Sequence, residues 1–357
     1  MCNVKSLNAD EFISDEEIRE TLKYADENKN NINEILGKAS KKKGLNHREA
    51  SVLLACDIPE KVQEMYKLAN EIKQDYYGNR IVLFAPLYLS NYCVNGCVYC
   101  PYHMKNKHIA RKKLTQEEIV KEVTALQDMG HKRLAIEAGE DPVNNPIEYI
   151  LECIKTIYGI KHKNGAIRRV NVNIAATTVE NYRKLKEAEI GTYILFQETY
   201  HKKSYEQLHP TGPKHNYNYH TEAMDRAMEG GIDDVGLGVL FGLEMYRYEF
   251  AGLLMHAEHL EAVFGVGPHT ISVPRIKRAD DIDPDVYVEE HGLKTVNDAD
   301  ELRTTLEKVI ADNPQAVADY RGGKEKALGA LVGQTMKAMK GKANPGMVNK
   351  MLREMLG

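Results

Sequence analysis

Arg80–Tyr102 runs RIVLFAPLYLSNYCVNGCVYCPY. Its first half, ending near Ser90, is an apolar run rich in the residues that favour a strand. Its second half carries Cys93, Cys97 and Cys100 in a C-x3-C-x2-C array. Three thiols this close, just past a strand, suit a cluster or a metal rather than a disulfide framework, because the chain is long and opens on polar MCNVKSLNADEF with no secretory signal. The array is one cysteine short of the four that normally hold a [4Fe–4S] cluster, which leaves one iron open to a ligand from outside the protein. A zinc site completed by His103 or His108 is the other reading of the same thiols. Cys2, Cys56 and Cys153 stand apart and read as terminal or helix-packing thiols.

Working outward, the pattern changes at about residue 80. Before it, Ser14 and Glu17 read as a capping box opening a helix through DEEIRETLKYADEN, followed by helices at NINEILGKAS, NHREASVLLAC and IPEKVQEMYKLANEIKQDYY. After it, strand-like runs (RIVLFAPLYL, KRLAIEAG, RRVNVNIAA, GTYILFQETY, DVGLGVLFGL, HTISVPR) alternate with amphipathic helices, one of them opened by Thr115 and Glu118 and stopped by Gly130. Six β/α-type units in a row predict an α/β fold: a partial or open TIM-type (β/α)6 barrel with N-terminal helices and chemistry at the carboxyl ends of its strands. A small all-α C-terminal domain completes the expected fold class. The expected domains are 1–80, a helical extension; 81–288, the partial barrel; and 289–357, a helical tail.

Composition sets limits on this reading. The 357 residues suit a barrel-sized body plus an appendage. Hydrophobic content of 43% is ordinary for a globular protein and no window approaches ~18 uninterrupted apolar residues, so a cytoplasmic protein with no membrane partner is expected. Residues 290–357 hold 11 Lys and Arg against 9 Asp and Glu, whereas the whole chain has 48 against 52. A mildly acidic body carries a slightly basic tail.

Candidate site residues cluster at predicted strand ends. The second strand ends in Glu137-Ala138-Gly139-Glu140-Asp141, where an acid after a small-residue turn suits an ammonium and Gly139 lets backbone approach closely. The fourth ends in Gln197-Glu198-Thr199-Tyr200-His201, and VNVNIAATT precedes it; polar groups at both exits suit ribose hydroxyls or a carboxylate. Arg275, leaving the sixth strand, has the planar fork that binds a carboxylate bidentately. His256 and His259 share one helical face and read as packing or capping residues before ligands.

The cysteine loop resembles that of the radical S-adenosylmethionine (SAM) enzymes. In that family three cysteines hold a [4Fe–4S] cluster whose open iron chelates SAM and cleaves it reductively to a 5′-deoxyadenosyl radical. The resemblance implies that Cys93, Cys97 and Cys100 are cluster ligands, that Tyr99 lies against the adenine, and that Ala138, Gly139 and Glu140 stand where a Gly-Gly-Glu-like segment receives the SAM amino group. More narrowly, QETYH, HPTGPK, GLGVLFGL with Tyr246, LLMHAEHLE and HTISVPR resemble the radical SAM tyrosine lyases, above all the [FeFe]-hydrogenase maturases of the HydG type and, more distantly, the thiamine-pathway lyase. The match runs from about residue 10 to Tyr287. It implies hydrogen abstraction from L-tyrosine and Cα–Cβ cleavage to p-cresol and dehydroglycine, an electron donor such as ferredoxin or flavodoxin, and catalytic candidates Gln197, Glu198, Tyr200 and Arg275, with Glu198 also touching SAM.

Beyond RADDIDPDVY the likeness stops. A HydG-like chain would continue with two more strands and a cysteine-bearing domain for an auxiliary cluster, but no cysteine follows Cys153, so formation of CO and cyanide is not expected of this polypeptide. Instead, Glu289–Leu356 resembles the C-terminal tail domain of the B subunit of the tRNA-dependent aspartyl/glutamyl amidotransferase, most specifically in NPQAVADYRGGKEKALGALVGQTMKAMKGKANP. Asn313-Pro314 and Asn344-Pro345 read as N-cap and N1 pairs, with Gly322-Gly323 and Gly341 as interruptions. From Tyr320 onward eight basic residues (Arg321, Lys324, Lys326, Lys337, Lys340, Lys342, Lys350, Arg353) face only Glu325 and Glu354, a footprint suited to RNA phosphates. The alternative to an enzyme is then an inert barrel fragment whose tail binds tRNA.

Overall fold

The computed structural model describes residues 2–29, 31–163, 165–278, 283–290, 299–339, 343 and 345–356. They divide into two compact units, one of Met1–Leu54 with Asn70–Pro284 and one of Ala55–Ala69 with Asp285–Gly357. Helices α1 (Ala9–Phe12), α2 (Asp15–Asn28), α3 (Ile32–Ser40), α4 (His47–Ala55) and α5 (Pro59–Tyr77) come first. Then β1 (Ala85–Ser90), α6 (Gln116–Asp128), β2 (Arg133–Ala138), α7 (Ile147–Gly159), β3 (Arg169–Asn173), α8 (Val179–Glu187) and β4 (Tyr193–Glu198) alternate. They are followed by α9 (Lys202–Leu208), α10 (Tyr217–Thr221), α11 (Ala223–Glu229), β5 (Val235–Val239), α12 (Tyr246–Phe264) and β6 (Thr270–Ser272).

The six strands form one sheet in sequence order, β1-β2-β3-β4-β5-β6, with every pair parallel. Parallel neighbours joined by helical crossovers in unbroken order are the barrel topology expected, with all exits on one end. Among the described residues no strand closes β6 onto β1. The expected strand from Arg80 begins only at Ala85. Ile81–Phe84 are apolar enough for a strand, but no strand among the described residues pairs with them, and all four are exposed.

Local sequence explains the helix ends. Thr115 and Glu118 form a complete capping box, and Gly130 follows α6 at φ +94°. At Ser14 only half of the expected box forms: its hydroxyl accepts the Glu17 N–H at 3.2 Å, but the Glu17 carboxylate turns to Arg48 and His47. The unit's core holds β-strand residues such as Leu89, Leu134, Ile136, Val170, Val172 and Leu237 with the inner faces of the helices. Helices α1–α3 and most of α4 are part of this body. Phe12 stacks on His259 at 3.8 Å between ring centres, and His47 meets Glu258 at 2.8 Å. His259 also bonds Asp225 at 2.7 Å and the Val4 carbonyl at 2.8 Å, and His256 bonds Tyr200, so both histidines pack rather than line the site.

In the second unit follow α13 (Pro284–Glu290), α14 (Ala299–Asp312), α15 (Pro314–Arg321), α16 (Glu325–Ala338) and α17 (Pro345–Leu356). Leu302, Leu306 and Val309 of α14, Leu328, Leu331 and Val332 of α16, and Val348, Leu352 and Leu356 of α17 recur at helical spacing and form its core. Pro314 opens α15 as expected, although the Asn313 side chain bonds back to the Val309 carbonyl instead of capping. Gly322 and Gly323, the latter at φ +90°, separate α15 from α16. Lys340, Gly341, Lys342 and Asn344 lie outside the described residues.

Candidate functional site

The loop leaving β1 is pinned by both backbone and side-chain hydrogen bonds. Val94 N–H donates to the Glu140 carbonyl at 2.8 Å, Gly96 N–H to Thr211 at 3.0 Å and Val98 N–H to Leu208 at 3.0 Å. Two glycines permit the approach: a Cβ on Gly139 would overlap the Tyr92 carbonyl oxygen and sit 3.0 Å from Cys93 Cβ, and Gly212, at φ +92°, has no room beside Asn95. Arg111 stitches the loop from behind, donating to the carbonyls of Asn91 (2.6 Å), Tyr102 (2.7 Å) and His103 (2.7 Å). Nothing in its sequence neighbourhood marks Arg111 for this task.

So held, Cys93, Cys97 and Cys100 line a cavity of about 250 Å³ at the carboxyl ends of β1–β4. Tyr99, Ala138, Gly139, Glu140 and Glu198 line the same cavity, which brings together every residue expected to hold the cluster or SAM. Glu137, Asn95, Asn173, Lys214 and His220 join them. His103 and His108, the partners of the zinc reading, do not. All six cysteines of the chain are free.

Electrostatics follow from burial. It pushes the Cys97 thiol up to about 12 against the pull of Lys214, and raises Cys100 as well; a cluster bound here would have to displace both protons. Glu140 is raised by burial, with Asn95 donating to it at 2.6 Å. Burial works to lower Lys214, but the Glu198 carboxylate at 2.8 Å lifts it above the ordinary lysine range. The cavity thus holds Lys214 among three acids, Glu137, Glu140 and Glu198. His209 Nδ1–H donates to the Tyr205 carbonyl at 2.7 Å, which leaves Nε2 to accept the Tyr99 hydroxyl at 2.7 Å. Burial then keeps His209 neutral, its pKa lowered to about 3, and the pair fixes the Tyr99 ring on the cavity wall.

The structure places three expected catalytic residues elsewhere. Gln197 is buried and donates to Thr221 at 2.9 Å; the β4–β5 register slips between Phe196 and Glu198, so Glu198 enters the cavity instead. Tyr200 is buried with its hydroxyl on His256 at 2.9 Å. Arg275 is exposed, in a backbone bridge to Phe241. None of the three lines the cavity. Lys214 was within reach of the sequence, since it closes the HPTGPK segment, but its partners Glu198 and Asn95 are 16 and 119 positions away.

The donor set fits a cluster. Soft thiolates suit iron–sulfur ligation, and among the described residues no three His, Cys, Asp or Glu side chains converge closely enough to hold a single metal ion.

Comparison with known proteins agrees in two parts. Residues 87–253 match the family model of the radical SAM superfamily, and residues 275–356 that of the GatB domain. The crystal structure of HydG, a maturase of the [FeFe]-hydrogenase, superposes with TM-score 0.76 at 61% identity, over 77% of this chain and 61% of that one. HydG from Carboxydothermus hydrogenoformans gives 0.69 at 42%, over 76% and 63%. The 2-iminoacetate synthase of Salmonella typhimurium is 28% identical over 65% of this chain and 60% of its own length. The B subunit of the aspartyl/glutamyl-tRNA(Asn/Gln) amidotransferase of Lachnospira eligens is 72% identical over 78 residues, which are 22% of this chain and 16% of that protein. The chain therefore spans about three-fifths of its HydG and iminoacetate synthase relatives and a sixth of the amidotransferase relative. A [4Fe–4S] cluster and SAM are the cofactors that go with this radical SAM fold. Residues 87–253 carry a radical SAM domain, in a body similar to the HydG maturases, and residues 275–356 match the GatB domain.

Proposed function

We propose that the barrel segment, residues 81–288, is a tyrosine lyase of the HydG type, preceded by the helical extension 1–80 and followed by an RNA-contacting tail, 289–357. The observation that supports it is the meeting of Cys93, Cys97, Cys100, Tyr99, Gly139, Glu140 and Glu198 in one cavity. In this reading the three thiolates hold the cluster, and Glu140 with the Gly139 backbone receives the SAM amino group. Tyr99 lies against the adenine. Glu198 takes a polar group of the nucleoside, and Lys214 balances its charge. Bound together, cluster and SAM supply hydrogen-atom abstraction, which on L-tyrosine leads to Cα–Cβ cleavage. The relatives named for 2-iminoacetate support this product, since 2-iminoacetate and dehydroglycine are one molecule. An electron donor of the ferredoxin or flavodoxin kind completes the proposal.

Reconstituted protein given reductant, SAM and tyrosine should form 5′-deoxyadenosine and p-cresol, with CO and cyanide absent. CO above a no-enzyme control contradicts the assignment of that later chemistry to a further, cysteine-bearing domain. The second reading, an inert barrel with a tRNA-binding tail, draws on the GatB match and the basic excess after Tyr320. Salt-sensitive tRNA binding without any SAM cleavage would favour it.

A further inference from the structure

The turn after β4 has a backbone that glutamate rarely adopts. Glu198 sits at φ +69°, and Thr199 N–H donates across it to the Gln197 carbonyl at 2.9 Å. An i to i+2 bond around a residue of positive φ is the rarer, strained form of γ-turn. Such a conformation persists only where its surroundings over-determine it. Here one side is held by Leu240 N–H, which donates to the Glu198 carbonyl at 2.9 Å. The other side is held by Glu249 on α12, whose side chain is fully buried. One Glu249 oxygen accepts Tyr200 N–H at 2.7 Å, and the other shares a short hydrogen bond with the Thr199 hydroxyl. That hydroxyl oxygen in turn accepts His201 N–H at 3.2 Å.

We propose that Glu249 is a positioning residue that clamps the turn 198–200 in the form presenting the Glu198 carboxylate to the cofactor cavity. The inference rests on the reading of Glu198 as a cofactor contact. Glu249 does not line the cavity, so it acts through the turn. Among the described residues no basic group offsets its charge: burial pushes it up to about 8, and the nearby Glu244 pushes the same way. A buried carboxyl without a counter-charge is costly, and its oxygens are spent on the two residues that follow Glu198.

The test uses Glu249→Leu, Glu249→Gln and Thr199→Val in the full chain. Amide hydrogen exchange over 199–201 is followed in cluster-free protein, and SAM affinity is read from the spectral change of the reduced cluster. Loss of buried hydrogen bonds in Glu249→Leu should speed exchange about tenfold or more and weaken SAM binding about tenfold, at unchanged iron content. Glu249→Gln, which keeps an acceptor for Tyr200 N–H, should return both to within about threefold. Wild-type exchange in Glu249→Leu overturns the proposal, as does a defect that Glu249→Gln fails to relieve. Where Glu249→Leu does not fold, Thr199→Val decides: faster exchange with weaker SAM binding supports the clamp, and no change overturns it. Glu198→Gln separates the two layers. If it binds SAM normally while exchange in Glu249→Leu is fast, the clamp stands and the reading of Glu198 as a cofactor contact falls.

Discussion

Cys97 is the most buried of the three cavity thiols, and burial pushes its pKa up to about 12, so cluster binding would have to displace its proton. Cys97→Ala leaves two ligands, so anaerobically reconstituted variant should retain little or no iron while the wild type holds about four irons per chain; iron at wild-type level in the variant would refute the ligand assignment. Glu249 offers a pH signature in the cluster-free protein. Its folded pKa of about 8 lies above the ordinary carboxylate value, so the native state binds this proton more tightly than the unfolded state. The resulting stabilisation is full below the unfolded pKa and is lost as pH rises toward 8. Urea unfolding of Glu249→Gln should therefore show a flatter decline between about pH 5 and 8 than the wild type. Equal slopes would mean that Glu249 keeps an ordinary pKa in the folded protein.

At the scale of elements, the loop after β1 and the turn after β2 form one unit through the contact at Gly139. Adding a methyl there pushes Tyr92 and Cys93 away from residue 139, so Gly139→Ala should cost about 1–3 kcal/mol of stability and lower iron loading. Unaltered loading and melting would show that the loop shifts without harm. What the sequence disclosed follows the same geometry. Cys93, Cys97, Cys100, Tyr99, Gly139 and Glu140 were legible because each lies within a few residues of a strand end, where parallel topology gathers functional groups. Where Gln197 and Tyr200 point was not legible, because a register slip and a buried carboxyl from a helix some 50 positions away decide which side chain enters the cavity. Ile81–Phe84 misled because an apolar run becomes a strand only where another strand accepts its hydrogen bonds. Asn95 and Lys214 act through contacts 16 to 119 positions apart, and Arg111 through carbonyls 8 to 20 positions away, which no spacing rule reveals.

Across the whole molecule, the two family matches carry separate expectations. In the barrel unit β1 and β6 each have a single strand partner among the described residues, and Ile81, Val82, Leu83, Phe84, Ile271 and Val273 are exposed beside them, the setting in which sheet edges associate. Val82→Lys with Leu83→Lys should shift sedimentation toward monomer; an unchanged distribution would clear this segment of any part in self-association. In the tail, Lys326→Ala with Lys337→Ala should weaken tRNA binding and lower the salt slope by about two units or slightly less. No tRNA binding at low salt would return these lysines to an ordinary solvated surface. The central claim concerns the cavity at the strand ends, and one measurement reaches it most directly: electron paramagnetic resonance of the reconstituted, reduced protein before and after SAM is added. The account predicts about one four-iron cluster per chain whose spectrum changes on SAM addition and disappears in Cys97→Ala. Stoichiometric zinc without iron in anaerobically purified protein, or a cluster spectrum indifferent to SAM, would contradict it.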